Sequence, residues 1–411
     1  MSGGVPKRIS ISRTQRNTPS KAGNVMAKRA IILCNGGRSR RAICNYVKKR
    51  THAETKKEKM EDGPPGPNWT YAPDANFRTA VKAAYTTVEV NGEYFKTSTI
   101  NTITNLDVDG VTYFPKTISD LTGIEGFTAL TFLGCGNNSL NSLDVTQNIA
   151  LDFFCCNGNS LNTLNVSTNT ALTELQCDNN SITSLDVTQN TALTGLDCND
   201  NQLTSLDVSD ISGLTNLYCR GNQLTTLDVS ANTALTTLDC RSNQLTSLDV
   251  STNVLLEELL CGSNQLTSLD VSANTLLAIL YCNDNSLNTL DVTNNVNLTE
   301  LYCYDNSLNT LDVTQNTLLQ TLQCYDNSLN FLDVSACPLT ELDCRNNNIT
   351  GVGTSVIITA FTNTYSGNFE SNPQNTTVAI GPFCKVADAN AVIYFNANYL
   401  NKIPPNGTYY S

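Results

Sequence analysis

Cysteine is the residue type in this chain that could do the most chemistry. The 411 residues include 16 cysteines, ten of which recur every 21 residues from Cys135 to Cys324, with an eleventh at Cys344. Thiols in this number can form disulfides, bind a metal ion or, beside a histidine, act as nucleophiles. The single histidine, His52, lies outside these repeats. No Cys/His or Ser/His/Asp arrangement can therefore be built on them, and the sequence predicts a protein that is not an enzyme and has no cofactor.

The cysteine spacing predicts the elements that hold these side chains. Each period follows the pattern LxCxxNxLxxLDVSxNxxLxx, as in Leu238–Glu258. A period in the twenties is typical of leucine-rich repeats, in which each turn of chain buries its apolar face against its neighbours. Alternation around each cysteine predicts a strand, and LDV predicts a second short strand or extended segment on the other side of the turn. The predicted fold is a leucine-rich repeat solenoid, mainly β, with about eleven coils.

Geometry gives the cysteine column a structural role. Adjacent strands lie about 4.8 Å apart, and their in-register Cβ atoms lie about as far apart, whereas a disulfide needs roughly 3.8 Å. A linear column without histidine also cannot surround a zinc ion, so no metal site is predicted. The ladder is expected to pack as thiols: Cys135, Cys156, Cys177, Cys198, Cys219, Cys240, Cys261, Cys282, Cys303, Cys324 and Cys344. Off the ladder, Cys155 should point outward and react most readily of the repeat cysteines.

Two polar columns accompany the ladder. Asparagine three residues after each cysteine, from Asn138 to Asn347, is expected to satisfy backbone groups at the corner. The aspartate of LDV should face outward, and like charges on adjacent turns then need compensation. Either the following Ser or Thr and backbone N–H groups supply hydrogen bonds, which we favour, or a row of calcium ions bridges the turns. This column comprises Asp144, Asp186, Asp207, Asp228, Asp249, Asp270, Asp291, Asp312 and Asp333, interrupted by Asn165.

The repeat resembles that of the bacterial internalin family, in particular its members with 21-residue repeats and a cysteine ladder, and related secreted bacterial repeat proteins. The resemblance rests on the recurring LxCxxNxLxxLDVS and on ISDLTGIEGFTALTFLGC from Ile118 to Cys135, and it covers roughly Pro73 to Gly351. It implies that the cysteine strand lines a concave ligand-binding face. It also implies an extracellular or cell-surface location, although no signal peptide is visible in the sequence.

Charge divides the chain into two kinds of polypeptide. Residues 1–62 hold 16 Lys or Arg and 4 Asp or Glu, a net charge of +12, while the other residues hold 9 and 33, a net charge of −24. The basic segment is predicted to be a disordered tail; the alternatives are a nucleic-acid arm, a targeting sequence, or an upstream reading with translation starting at Met60. Residues 63–72, with GPPGP, are predicted to be a stiff linker.

Caps are expected at both ends of the solenoid. Residues 73–130 should contain an N-terminal cap and the first irregular repeats, with Asp74 capping a helix whose Phe77, Val81 and Ala84 share one face. A hairpin is expected over Val88–Phe95, with Asn91 and Gly92 at its centre. The solenoid then spans residues 131–351. Residues 352–411 are predicted to be a C-terminal cap of unknown fold, because a last coil without cover would leave an open sheet edge.

The outward positions of the cysteine strand are the predicted binding site. In early turns they are small or polar, as at Gly134, Gly136 and Asn157. The candidate ligand-binding residues of the later turns are Leu260, Ile279, Tyr281, Tyr302, Tyr304 and Tyr325, flanked by Asp284, Asp305 and Asp326. Tyrosine offers a large contact area with little loss of entropy. The basic residues of the repeats, Arg220, Arg241 and Arg345, lie on this strand too, and the first two could pair with Asp197 and Asp239.

These patterns predict a non-catalytic recognition or adhesion protein that binds a protein or a glycan through its concave face. The alternative is a structural spacer or surface component without a specific ligand. We expect a monomer. We also expect no membrane span, because no apolar run approaches 18 residues. Nucleic acid is expected as a partner only through the basic segment.

Overall fold

The computed structural model describes residues 67–110, 117–334, 336–348, 356–358 and 378–380. The predicted basic tail over residues 1–62 lies outside the described residues, as does most of the predicted C-terminal cap.

An N-terminal cap precedes the repeats. Its elements are β1 (Trp69–Tyr71), α1 (Ala75–Ala84), β2 (Val90–Asn91), β3 (Tyr94–Lys96) and α2 (Thr97–Ile100). Strand β3 lies between β1 and β2 and is antiparallel to both. The predicted linker over residues 63–72 is therefore wrong for Trp69–Tyr71, because the backbone of these residues completes the cap sheet.

Helix α1 begins where the sequence predicts. The Asp74 side chain accepts hydrogen bonds from the backbone N–H groups of Asn76 (2.7 Å) and Phe77 (2.9 Å), which is the bonding of an N-cap. Phe77 and Val81 are fully buried. Ala84 is exposed at the last helical residue, so the prediction for this residue is wrong, and Ala80 supplies the third buried side chain.

The predicted hairpin is confirmed with a shifted turn. Asn91 pairs with Tyr94, so Gly92 and Glu93 form the turn and Gly92 adopts a φ of 57°, a conformation that glycine takes without a Cβ clash. The ring of Phe95 packs against Phe77 and Phe127 with centroids 5.5 and 5.7 Å apart. These rings join the cap to the interior of the repeats.

The repeats form one parallel sheet of twelve strands. A 3-10 turn at Ile124–Gly126 lies between its first two strands. The strands are β4 (Asn105–Asp107), β5 (Phe132–Gly134), β6 (Phe153–Cys155), β7 (Glu174–Gln176), β8 (Gly195–Asp197), β9 (Asn216–Tyr218), β10 (Thr237–Asp239), β11 (Glu258–Leu260), β12 (Ile279–Tyr281), β13 (Glu300–Tyr302), β14 (Thr321–Gln323) and β16 (Glu341–Asp343). Eleven of these strands directly precede a ladder cysteine, and β4 adds one strand before the ladder.

Neighbouring turns stack in register, so equivalent residues lie beside each other. Leu238 of β10, for example, pairs with Leu217 of β9 and Leu259 of β11. The ladder cysteines from Cys135 to Cys324 are fully buried, and Cys344 is partly buried. Burial raises the pKa of the Cys198 and Cys219 thiols well above the usual value, because a thiolate would lose its hydration there. The predicted buried column is confirmed.

The opposite side of each turn is extended and, with one exception among the described turns, is not a strand. Backbone bonds between adjacent turns lie beside the strands instead, such as that from Gln265 N to Leu245 O (2.8 Å) at the first corner. The LDV segment instead uses side chains, since Asp249 accepts the backbone N–H of Ser251 (2.9 Å). The exception is β15 (Leu332–Asp333), which pairs with β17 (Val356–Ile358), itself paired with β18 (Val378–Ile380).

Asparagine side chains hold consecutive turns together at the first corner. Asn264 Nδ2 donates to the carbonyl oxygen of Cys240 in the preceding turn (3.0 Å) and to those of Cys261 (3.1 Å) and Gly262 (3.3 Å) in its own turn. Its Oδ1 accepts from Leu245 N at 3.0 Å. The other asparagines from Asn159 to Asn347 repeat this pattern. The predicted structural role of this column is confirmed.

A second asparagine column, at the other corner, was not assigned a role from the sequence. Asn253 is fully buried, and its Nδ2 donates to the carbonyl oxygens of Val229 and Asn232, both at 2.9 Å. Ile211 and Cys337 occupy the equivalent position in two turns. The remaining members make the same contacts: Asn148, Asn169, Asn190, Asn232, Asn274, Asn295 and Asn316.

Replacing Asn264 with alanine should destabilise the protein by about 2–4 kcal/mol, because three buried carbonyl groups and one N–H group lose their side-chain partner. The measurement is the midpoint and slope of urea unfolding. Asn294→Ala is the control, since Asn294 is exposed and makes one long side-chain bond, to Ser272 O at 3.4 Å; we expect a change within about 0.5 kcal/mol. Equal effects of the two substitutions would contradict the structural role.

Alkylation of the native, reduced protein at pH 8 should spare the ladder and modify Cys155. The ladder thiols are buried with raised pKa values, whereas Cys155 is half-buried on the outward side of β6, with Sγ 3.1 Å from Asn157 Oδ1. Mass spectrometry of the digested protein measures modification at each site, with the urea-unfolded protein as the control for intrinsic reactivity. Native labelling of Cys198 or Cys219 at the rate of Cys155 would show that the column opens.

Candidate functional site

The outward side chains of the twelve-stranded sheet form the surface predicted to bind a ligand. We call this surface the strand face; it carries the first and third residues of each strand and the residue after each ladder cysteine. The in-register pairing of the strands brings equivalent outward residues into columns.

Two pairs of stacked tyrosines dominate the later turns of the strand face. The rings of Tyr281 and Tyr302 are 4.1 Å apart at 5°, and those of Tyr304 and Tyr325 are 4.4 Å apart at 7°. Tyr302 and Tyr304 connect the pairs at 6.4 Å and 44°. All four side chains are half-buried. The structure thus brings together the four tyrosines that the sequence selected, in an ordered cluster that we call the tyrosine cluster.

The aliphatic members of the predicted patch are less accessible. Leu260 is 9% exposed, so the expectation that it contributes exposed surface is wrong, because the residues around its outward position cover it. Ile279 is half-buried beside Tyr281 on the same strand.

Two tyrosines of the cluster contact charged side chains. The Tyr281 hydroxyl donates to Glu300 Oε2 at 2.6 Å. Partial burial, and then the bond to Glu300, raises the pKa of Tyr281 above the ordinary value. The guanidinium of Arg345 lies 5.5 Å from the ring centre of Tyr325, a distance at which a cation is attracted by an aromatic face.

Asp284, Asp305 and Asp326 lie on consecutive turns at the other side, two residues after the ladder cysteines. Each has a φ of 51°, a left-handed conformation that Asp tolerates better than most residues. Asp284 accepts from Asn283 Nδ2 (2.8 Å) and Asp326 from Asn346 Nδ2 (2.7 Å). Partial burial, followed by the charges of Asp284 and Asp326, raises the pKa of Asp305.

The arginines of the strand face are paired with carboxylates. Arg241 binds Asp239 through Nε (2.9 Å) and Nη2 (2.6 Å), as the sequence predicts. Arg220 pairs with Asp200 at 3.2 Å, so the predicted pair with Asp197 is wrong. Asp200 lies two residues after Cys198, and its backbone N–H donates to the Arg220 carbonyl oxygen of the next coil at 2.7 Å. Its side chain is therefore close to the Arg220 guanidinium.

Asp197 belongs to an acidic group that sequence analysis missed. Burial, together with the nearby charge of Asp178, raises the pKa of Asp197 to about 8. Its carboxylate accepts the backbone N–H of Asn199 at 3.1 Å. The sequence places Asp178 and Asp197 at outward positions of adjacent turns, but only the structure shows that Asp178 is buried and Asp197 half-buried.

The outward aspartates on the opposite side of the solenoid have local partners. Asp207 Oδ1 accepts from Ser209 N (3.0 Å) and Ser209 Oγ (2.7 Å), and these bonds lower the pKa of Asp207. Asp144, Asp186, Asp291 and Asp312 bond to the following threonine in the same way. These bonds are the compensation that we favoured from the sequence. Within the described ranges, no group of three or more His, Cys, Asp or Glu side chains is arranged to hold a metal ion.

Comparison with solved structures identifies the family. The functional domain of InlJ from Listeria monocytogenes, whose structure includes a cysteine ladder, is 36% identical, with a TM-score of 0.63 over 72% of this chain and 68% of that one. This chain belongs to the internalin-like leucine-rich repeat proteins. A leucine-rich repeat protein of Leptospira interrogans is 27% identical, with a TM-score of 0.55 over 62% of this chain and 76% of that one.

Internalin InlF of Listeria monocytogenes shares the fold of this internalin-like protein at 19% identity, with a TM-score of 0.53 over 69% of this chain and 94% of that one. No protein-family model matches the chain, and no curated protein matches it. Among the residues that the structure describes, no helix has the length and hydrophobicity needed to cross a membrane.

The pH dependence of stability should differ in sign between Asp197 and Asp207. The folded pKa of Asp197 lies above its unfolded value of about 4, so the native protein is destabilised as pH rises from about 4 to 8. Asp197→Asn should therefore gain in melting temperature, relative to the unsubstituted protein, across that range. The folded pKa of Asp207 is lowered, so Asp207→Asn should lose relative stability as pH rises through about 4. Parallel curves for the two variants would contradict these assignments.

Proposed function

We propose that this internalin-like protein is a non-catalytic recognition or adhesion protein that binds a protein or glycan through the strand face, at an extracellular or cell-surface location. The observation that carries the proposal is the tyrosine cluster, four ordered aromatic side chains at one end of a regular sheet. Stacked tyrosines at an accessible surface provide contact area that loses little entropy on binding.

The repeat architecture itself does not require this cluster. Buried leucine and cysteine positions are the same in early and late turns, yet the outward positions of β5 and the residue after Cys135 are Phe132, Gly134 and Gly136. The early turns carry a stacked pair of their own, Phe132 and Phe153, so the last turns differ by four tyrosines in two stacked pairs. This difference belongs to the surface rather than to the fold. The alternative, a spacer without a ligand, assigns the tyrosines only their favourable strand propensity.

The double substitution Tyr302→Ala and Tyr304→Ala should reduce ligand binding at least tenfold, because it removes the central rings of both stacked pairs. The labelled full-length protein would be tested on arrays of extracellular proteins and of glycans. Phe132→Ala with Phe153→Ala is the matched control, since these rings stack at 5.0 Å on the same sheet at its other end. Unchanged folding is checked by circular dichroism. If no array signal depends on the tyrosines, the spacer alternative is favoured.

A further inference from the structure

A second exposed apolar feature accompanies the tyrosine cluster. Five aliphatic side chains on four consecutive turns, in the corner that leads into each strand, are 43–50% exposed. We call this row the aliphatic edge; it comprises Val254, Leu255, Leu276, Val296 and Leu318. Contiguous exposed apolar surface is unfavourable in water and usually marks a contact site.

The aliphatic edge begins in a particular turn. At the same two positions, the four preceding turns carry only small side chains: Thr170 and Ala171, Thr191 and Ala192, Ser212 and Gly213, Thr233 and Ala234. The strand face changes character beside the same turns, because the tyrosine cluster begins at Tyr281. Two surface columns outside the buried leucine and cysteine positions thus become more apolar over the same part of the molecule. A shared partner explains this coincidence, whereas folding does not.

The two features are continuous along the chain. Within one turn, Leu276 is exposed, Ala278 and Ile279 are half-buried, and Tyr281 is half-buried. The intervening Leu277 and Leu280 are fully buried. Accessible apolar surface therefore runs from the aliphatic edge to the tyrosine cluster without an intervening charged residue in this turn.

Ring geometry determines what the tyrosine cluster can offer to a ligand. Because the paired rings lie parallel at 4.1 and 4.4 Å, their faces are turned toward each other along the solenoid. The outer sides of the pairs are also flanked, by Leu260 and Gln323 in register with Tyr281 and Tyr302, and by Arg345 at Tyr325. Ring edges are therefore more accessible than ring faces, and Glu300 holds the Tyr281 hydroxyl. A sugar ring that stacks on a flat aromatic face finds little such face here.

Charge restricts the partner further. Residues 131–351 contain 24 acidic residues and three arginines, a net charge of −21, and each arginine is paired with an aspartate. Glu300 lies at one side of the tyrosine cluster and Asp284, Asp305 and Asp326 lie at the other. Basic side chains between these carboxylates would reduce the repulsion among their like charges.

We propose that the ligand of the tyrosine cluster is a polypeptide with a basic, amphipathic surface, which places cationic side chains between the flanking carboxylates and apolar side chains over the aliphatic edge. This inference rests on the proposed function and narrows its ligand from protein or glycan to one class. It also enlarges the binding surface beyond the strand face.

Selection of a random peptide library displayed on phage against the full-length protein tests the ligand class. Peptides that bind should be enriched in Lys or Arg together with aliphatic residues. Their affinity should fall at least tenfold between 50 and 500 mM salt, because exposed ion pairs are screened. Selected peptides without a basic bias would overturn the proposal.

Paired variants test the surface. Two double variants should each lower the affinity for the selected peptides about tenfold: Leu276→Ser with Leu318→Ser, and Asp284→Asn with Asp305→Asn. The controls are Ile149→Ser, at the edge position of an early turn and 61% exposed, and Asp249→Asn with Asp270→Asn, which removes two exposed charges on consecutive turns elsewhere. Controls should change affinity less than twofold. An equal loss with the charge controls would indicate general attraction to an acidic protein and would overturn the proposal.

The same reagents separate this inference from the proposed function. If Tyr302→Ala with Tyr304→Ala abolishes binding while the aliphatic edge variant does not, or if a neutral glycan binds in a tyrosine-dependent manner, the strand face is a site but its ligand class or extent is wrong. If neither peptides nor glycans bind in a tyrosine-dependent manner, both proposals fail.

Discussion

The structure depends on hydrogen bonding between one turn and the next at places where no sheet exists. Strands of three residues supply a short ladder on one side only, and the rest of each 21-residue turn consists of corners and extended chain. Asparagine amides complete the connection, since Asn264 bonds to carbonyl groups of two successive turns and accepts an N–H group from the first. A buried backbone group without a partner is unfavourable by about 1–3 kcal/mol, so these amides make a regular register possible. The cysteine column packs inside the register that they set.

The sequence was sufficient to predict which residues form the interior, but not how exposed each outward side chain is. A leucine or cysteine at a fixed period has one inward direction, so the ladder, the strands and the corner role of Asn264 could be predicted. Leu260 shows where this reasoning ends: its outward position followed from alternation, but its burial depends on the sizes of neighbouring side chains in other turns. The pairing of Arg220 with Asp200 likewise depends on the left-handed residue after the strand, with φ 50° at Asp200, which alternation does not describe.

The arrangement of the tyrosine cluster was the least predictable feature, because it arises from contacts between turns rather than within one turn. Tyr302 alone indicates only an aromatic contact. The parallel arrangement with Tyr281 turns ring faces away from the solvent, and the carboxylates of Glu300 and Asp305 then lie on either side of exposed ring edges. The same tyrosine content, spread over distant turns, would present flat faces and a different chemistry. The register between turns therefore determines which parts of the tyrosine rings are accessible, in addition to stabilising the fold.

The isoleucine at position 211 gives the regular solenoid a boundary. In the turns around it, the amide that would bond to the carbonyl groups of Val187 and Asn190 is replaced by an apolar side chain, so each of these oxygens keeps a backbone partner, Asn190 N and Leu193 N, without the additional amide bond. Repeat proteins unfold in segments whose limits lie where neighbouring repeats interact most weakly. The junction between the turns of Asn190 and Ile211 therefore lacks two amide bonds that the junctions of the asparagine turns have. The tyrosine cluster lies on the C-terminal side of this junction, so local opening of the turns before Ile211 is expected to leave the proposed binding surface folded.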